Sequence, residues 1–90
     1  MSIYSEMLSK SVEESGLKLD KIADLIENQI GSKPSKEYLS RLKNGKTSPA
    51  SNKINDALAR ILGIDPWDLK TAAYREKVPH EVIKRFQKTS

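Results

Sequence analysis

Ninety residues with 37% hydrophobic content suffice for one small helical core, and the lack of cysteine excludes a disulfide framework or a thiolate metal site. The 16 Lys+Arg against 12 Asp+Glu give a formal net charge of +4, while no run approaches the roughly 18 apolar residues of a membrane span. The opening MSIYSEMLSKSVEESG is not a basic segment leading into an apolar run, so it does not read as a signal peptide.

The first apolar set is Ile3, Met7, Leu8 and Val12, with Tyr4 beside it. Its three- and four-residue spacing predicts one helix face, stopped at Gly16. Leu19, Ile22, Ala23, Leu25, Ile26 and Ile30 predict a second amphipathic helix ending near Gly31. Asp20 falls in its first turn, where the helix dipole favours an acid. Pro34 then biases Lys33 away from helical geometry, and Ser35 offers a hydroxyl to cap the next helix. Tyr38, Leu39 and Leu42 give that third helix one apolar side, with Tyr38 read as more core than contact. Asn44 and Gly45 end it, since both residue types tolerate left-handed geometry. After the loop KTSPAS, Ser51 caps a fourth helix built on Ile54, Ala57, Leu58, Ile61 and Leu62, and Gly63 stops it. Asp65, Pro66 and Asp68 start a fifth, in which Trp67, Leu69, Ala72 and Ala73 are expected to close the core, Trp67 as its lid. Pro79 interrupts, and Val82, Ile83 and Phe86 mark one side of a last short helix. The expected fold is all-α: a compact bundle of five or six short helices. No segment sustains the heptads of a coiled coil.

The charge is segregated. Residues 1–31 carry six acids and three bases, net −3; residues 32–60 carry seven bases and two acids, net +5; residues 61–90 carry six bases and four acids, net +2. The middle third therefore holds the positive field, which suits an anionic partner. Its first part covers most of the turn 31–34 and helix 35–43, which together with the preceding helix 19–30 form an arrangement that suits a helix-turn-helix. In such a unit the second helix enters the major groove of DNA, where base pairs expose distinct donor and acceptor patterns. Lys36, Glu37, Ser40 and Arg41 are the candidate base contacts. Lysine and arginine donate to guanine; Glu37 either accepts from cytosine or holds Lys33 or Arg41. Lys33, Ser35, Lys43, Asn44, Lys46 and Thr47 are the candidate phosphate contacts, which orient more than they specify. The plainer reading stands beside this one: short amphipathic helices often carry surface lysines, and Ser35 and Asn44–Gly45 cap and stop a helix without any DNA.

The ordered stretches LDKIADLIE, SKEYLSRLKNGKTSP and INDALARILGIDPWDL resemble the phage Cro and repressor helix-turn-helix family of prokaryotic transcriptional regulators, over about residues 5–74. Ala23 matches the small residue that lets the bracing helix approach its partner. The connection from Ala23 to Tyr38 is longer than the family's usual one, so either the bracing helix has an added turn or the turn bulges. Leu19 stands near the place of a frequent glutamine, and Lys43 where an acid is frequent. The resemblance implies a lambda-repressor-like DNA-binding domain over residues 1–78. Residues 79–90 are then a short helix, a tail, or the start of a linker to a further domain. It also implies a transcriptional regulator, most simply a repressor, in the cytoplasm of a bacterium and encoded there or by a phage. Its partners would be a palindromic operator, a second copy, and an effector or antirepressor protein. Val82, Ile83 and Phe86 either form a dimer contact or pack back on their own core.

Catalysis is not expected. His80 is the single histidine, Asp65 and Asp68 read as helix-start residues, and GSKPSKE lacks the spacing of a phosphate-binding loop. No cofactor or metal is expected. The rival from another class is a protein-interaction module that uses the C-terminal apolar helix without specific DNA recognition.

Overall fold

The computed structural model describes residues 3–77. Within them the chain runs as five short helices without a strand: α1 (Ile3–Ser15), α2 (Leu19–Ile30), α3 (Lys36–Lys43), α4 (Asn52–Leu62) and α5 (Pro66–Lys77). None of these helices is long and apolar enough to cross a membrane. The sixth helix expected beyond Pro79, with His80, Val82, Ile83 and Phe86, lies outside the described residues.

Three helix starts use the side-chain oxygens expected of them. Ser35 Oγ accepts from the Tyr38 N–H at 3.0 Å, and Ser51 Oγ from the Ile54 N–H at 3.5 Å. Asp65 Oδ1 accepts from the N–H groups of Trp67 and Asp68 at 2.8 and 3.3 Å. Each bond satisfies a backbone donor that the helix itself leaves unpaired. The stretch between Ala23 and Tyr38 is mostly helix. α2 continues through Ile30, and its end is closed by the Gly31 N–H donating to Glu27 O at 2.8 Å.

The core draws on every helix. Tyr4 and Leu8 come from α1; Ile22, Ala23 and Ile26 from α2; Leu39 and Leu42 from α3; Ala57, Leu58 and Ala59 from α4; Leu69, Ala72 and Ala73 from α5. α1 packs against α3, α4 and α5, α2 packs against α3 and α4, and α4 against α5. Among the described residues α5 touches neither α2 nor α3.

Two apolar expectations fail at the N-terminal ends of helices. Trp67 is 75% exposed and is no lid on the core. It stands two residues before Leu69, about 200° round the helix from it. Leu69, Ala72 and Ala73 define the inward face, so Trp67 points away. Likewise Ile3 is exposed, whereas Tyr4 and Leu8, four residues apart, are buried. The inward face of α1 is centred on Tyr4, one residue on from where the apolar pattern alone would set it.

Candidate nucleic-acid interface

α3 is short, at eight residues, and depends on tertiary anchors rather than on its own propensity. Leu39 and Leu42 are buried, and Tyr38 is half-buried against the same core. That leaves Lys36, Glu37 and Arg41 exposed to solvent, with Ser40 and Lys43 half-buried beside them. The three exposed residues bring two cations and one carboxylate to one helix of three turns or fewer.

The end of α3 is built to turn sharply. The Lys46 N–H donates to Arg41 O at 2.8 Å and the Gly45 N–H to Leu42 O at 3.3 Å, the paired closure of a Schellman motif. Only Gly45 takes the left-handed conformation, at φ +70°; Asn44 stays at φ −96°. A Cβ on Gly45 would lie 3.2 Å from Ser5 Oγ, so the turn is seated directly on α1. Lys46 leaves this turn exposed, and Thr47 follows half-buried. Asn44 Nδ2 donates to Ser40 Oγ at 3.3 Å, so two of the candidate contact residues hold each other on the surface.

The loop after that turn is fastened from beneath. Tyr4 Oη donates to Asn55 Oδ1 at 2.6 Å, the Ala50 N–H donates to Tyr4 Oη at 3.3 Å, and Asn55 Nδ2 donates to Ala50 O at 2.9 Å. This closed ring joins α1, the α3–α4 loop and α4, and both side chains are fully or almost fully buried. Burial pushes the Tyr4 phenol up to about 12; the Ala50 N–H opposes this, and Tyr38 and Glu76 add to it. No buried side-chain polar atom among the described residues lacks a partner. The sequence reading missed this ring. Its signal was available: Tyr4 shares the helix face of Leu8, and Asn55 that of Leu58, at four and three residues' spacing.

The electrostatics divide the candidate residues. Lys33, in the connector between α2 and α3, places Nζ 2.7 Å from Asp24 Oδ1 of α2, with both side chains about half exposed. Hydrogen bonding and charge from Lys33 hold the Asp24 carboxyl below its ordinary range. The same pair raises Lys33, with Glu27 and Asp20 of α2 adding in the same direction. Lys33 thus faces an acidic edge of α2, and the carboxylate it holds is Asp24. Lys36, Arg41, Lys43 and Lys46 belong to α3 and its terminal turn. Val82, Ile83 and Phe86 lie outside the described residues.

The chain matches no protein-family model, no curated protein and no solved structure.

Proposed function

We propose that the chain is a sequence-specific double-stranded-DNA-binding protein and a transcriptional regulator. α2, the connector and α3 act in it as a helix-turn-helix. The observation that carries this is the display of Lys36, Glu37 and Arg41 on a helix held from behind by Leu39 and Leu42 and closed by Gly45 beside Lys46. The net +5 of residues 32–60 supports it, as does the ordered resemblance to the Cro and repressor family.

In this reading α3 enters the major groove. Lys36 and Arg41 donate to guanine edges, and Glu37 accepts from a cytosine amine. Ser40 adds a weaker base contact. Lys43, Lys46 and Thr47 meet phosphates, with Ser35, Asn44 and the connector's Lys33 at the margins. Two copies on a palindromic operator present two α3 helices about 34 Å apart, one turn of duplex. Action as a repressor follows from the family resemblance: a protein bound over a promoter blocks polymerase.

Selection from a library of random duplexes at several salt concentrations tests the reading. One motif is expected to be enriched, with affinity falling as salt rises. Arg41→Ala should cost about 1–3 kcal/mol of discrimination on the selected motif. Lys46→Ala should weaken all duplexes alike. A reporter placed downstream of the motif should fall when the protein is expressed. If no duplex is enriched at low salt, the DNA reading fails and a protein-interaction module takes its place.

A further inference from the structure

Between α1 and α5 runs an open groove of about 580 Å³. Its apolar lining is Ile3, Met7, Trp67 and Ala72, and Thr71 stands on its α5 wall. Trp67 and Ile3 are 75% and 63% exposed, two large apolar side chains that nothing among the described residues covers. Along α5 the groove extends from Trp67 to Glu76, about 14 Å of helix. Its two walls are tied together where Glu76 Oε1 accepts from the Tyr4 N–H at 3.2 Å, so the groove is formed before anything enters it.

We propose that this groove binds an amphipathic, positively charged helix of a partner protein, with apolar side chains inward and lysines or arginines along its flanks. The charge on the walls selects that partner. Asp68 and Glu76 against Arg75 give the described lining residues net −1, and Glu6 adds an exposed acid in the first turn of α1, next to Met7. This sign is opposite to the net +5 of residues 32–60, so the anionic partner that suits α3 does not suit the groove. An acidic lipid surface is disfavoured for the same reason. The occupant's backbone matters as well. Both walls are α-helices, whose backbone groups mostly bond within themselves, and there is no strand edge among the described residues. An extended segment would find no backbone partners over the apolar floor, whereas a helix satisfies its own. About 14 Å of groove takes roughly nine helical residues, enough for one apolar stripe at i, i+3, i+4 and i+7.

A second copy of the chain fits less well. The exposed large hydrophobics among the described residues are Ile3, Trp67 and Tyr74, and the first two are already walls of this groove. Two copies would set concavity against concavity, and one net-negative lining against another. The inference does not rest on DNA binding: none of the lining residues is a candidate DNA contact, and α5 touches neither α2 nor α3 among the described residues.

Trp67 is the single tryptophan, so it reports on the groove in the full 90-residue chain. In the free protein its emission should be freely quenched by acrylamide at low and high protein concentration alike. The probe is a Leu/Lys peptide of about 14 residues with leucines at i, i+3, i+4 and i+7. It should blue-shift and shield Trp67 and become helical as it does so, and a Leu/Glu peptide of the same pattern should not. Thr71→Arg places a bulky cation in the groove from an exposed position, and should abolish the shielding without lowering the melting temperature. Asp68→Lys should weaken the Leu/Lys peptide by about fivefold. Equal binding of both peptides, binding of neither, or binding that survives Thr71→Arg overturns the proposal. Shielding in the free protein overturns it too: if independent of concentration, the chain's own residues fill the groove; if lost on dilution, a second copy does. The peptide assay contains no DNA, so its failure and that of duplex selection are read separately.

Discussion

Tyr4 does more than fill space. One phenol oxygen serves Asn55 and Ala50 at once, and so pins the loop that follows α3. Tyr4→Phe leaves Asn55 Oδ1 without its phenol donor in a buried site and removes the acceptor that Tyr4 offers the Ala50 N–H. That should cost about 1–3 kcal/mol at neutral pH, measured by urea unfolding. The pH dependence has a definite sign. The folded phenol sits at about 12 against the ordinary 10.0, so the fold favours its neutral form. Its contribution is complete below the unfolded value and is lost as pH rises from 10.0 towards about 12. Over that window the parent should lose about 2 kcal/mol more than Tyr4→Phe does. Parallel stability curves for the two proteins would show that the phenol is not held in its neutral form.

α3 is made by its ends as much as by its own residues. Ser35 starts it with an ordinary cap, a contribution the sequence displays openly. The C-terminal turn is different, because Gly45 answers two demands. Its φ of +70° excludes most side chains at low cost, and its Cα faces Ser5, which is fully buried. Gly45→Ala should therefore destabilise by about 1–2 kcal/mol from the backbone alone, and by more if Ser5 has no room to yield. Gly16→Ala is the control: φ is +69° there, and nothing lies within 4 Å of the added Cβ. Thermal melts of the two variants separate the close approach from the dihedral cost. Equal losses would mean that the Ser5 contact costs nothing. If Gly45→Ala loses more, it should also weaken duplex binding, because Lys46 leaves from this turn.

Across the whole molecule the positive field is uneven in a way that composition conceals. Residues 32–60 are net +5, yet Lys33 is held by Asp24, with Asp20 and Glu27 near enough to raise its affinity for a proton. A phosphate approaching Lys33 therefore also approaches the acidic edge of α2. In the proposed DNA-binding function, Asp24→Asn should tighten binding to any duplex and steepen log K against log salt by about 0.9, the increment for one more phosphate contact. Lys33→Ala should matter less than Lys46→Ala. An unchanged salt slope for Asp24→Asn would mean that Lys33 stays away from the phosphates with or without its partner. The ion pair between Lys70 and Asp56, at 2.9 Å, joins α5 to α4.

Within residues 3–77 the order and limits of the helices were legible because they are local. Caps at Ser35, Ser51 and Asp65 and stops at Gly16, Gly31, Gly45 and Gly63 act within a few residues of themselves, and each is where the chain turns. The inward stripes of α2 and α4 were legible for the same reason: several apolar residues at helical spacing average out an error at any one of them. Tertiary structure decided what local pattern cannot express. A tyrosine and an asparagine, 51 positions apart, become core only because each satisfies the other. Trp67, the most hydrophobic-looking residue of α5's first turn, stays outside because the face is chosen by Leu69, Ala72 and Ala73 together. Lys33 reads as one cation among seven until folding brings Asp24 to 2.7 Å, and only then does its charge become spoken for. Spacing along the chain determines which faces a helix has; which neighbour each face meets depends on the packing of all five.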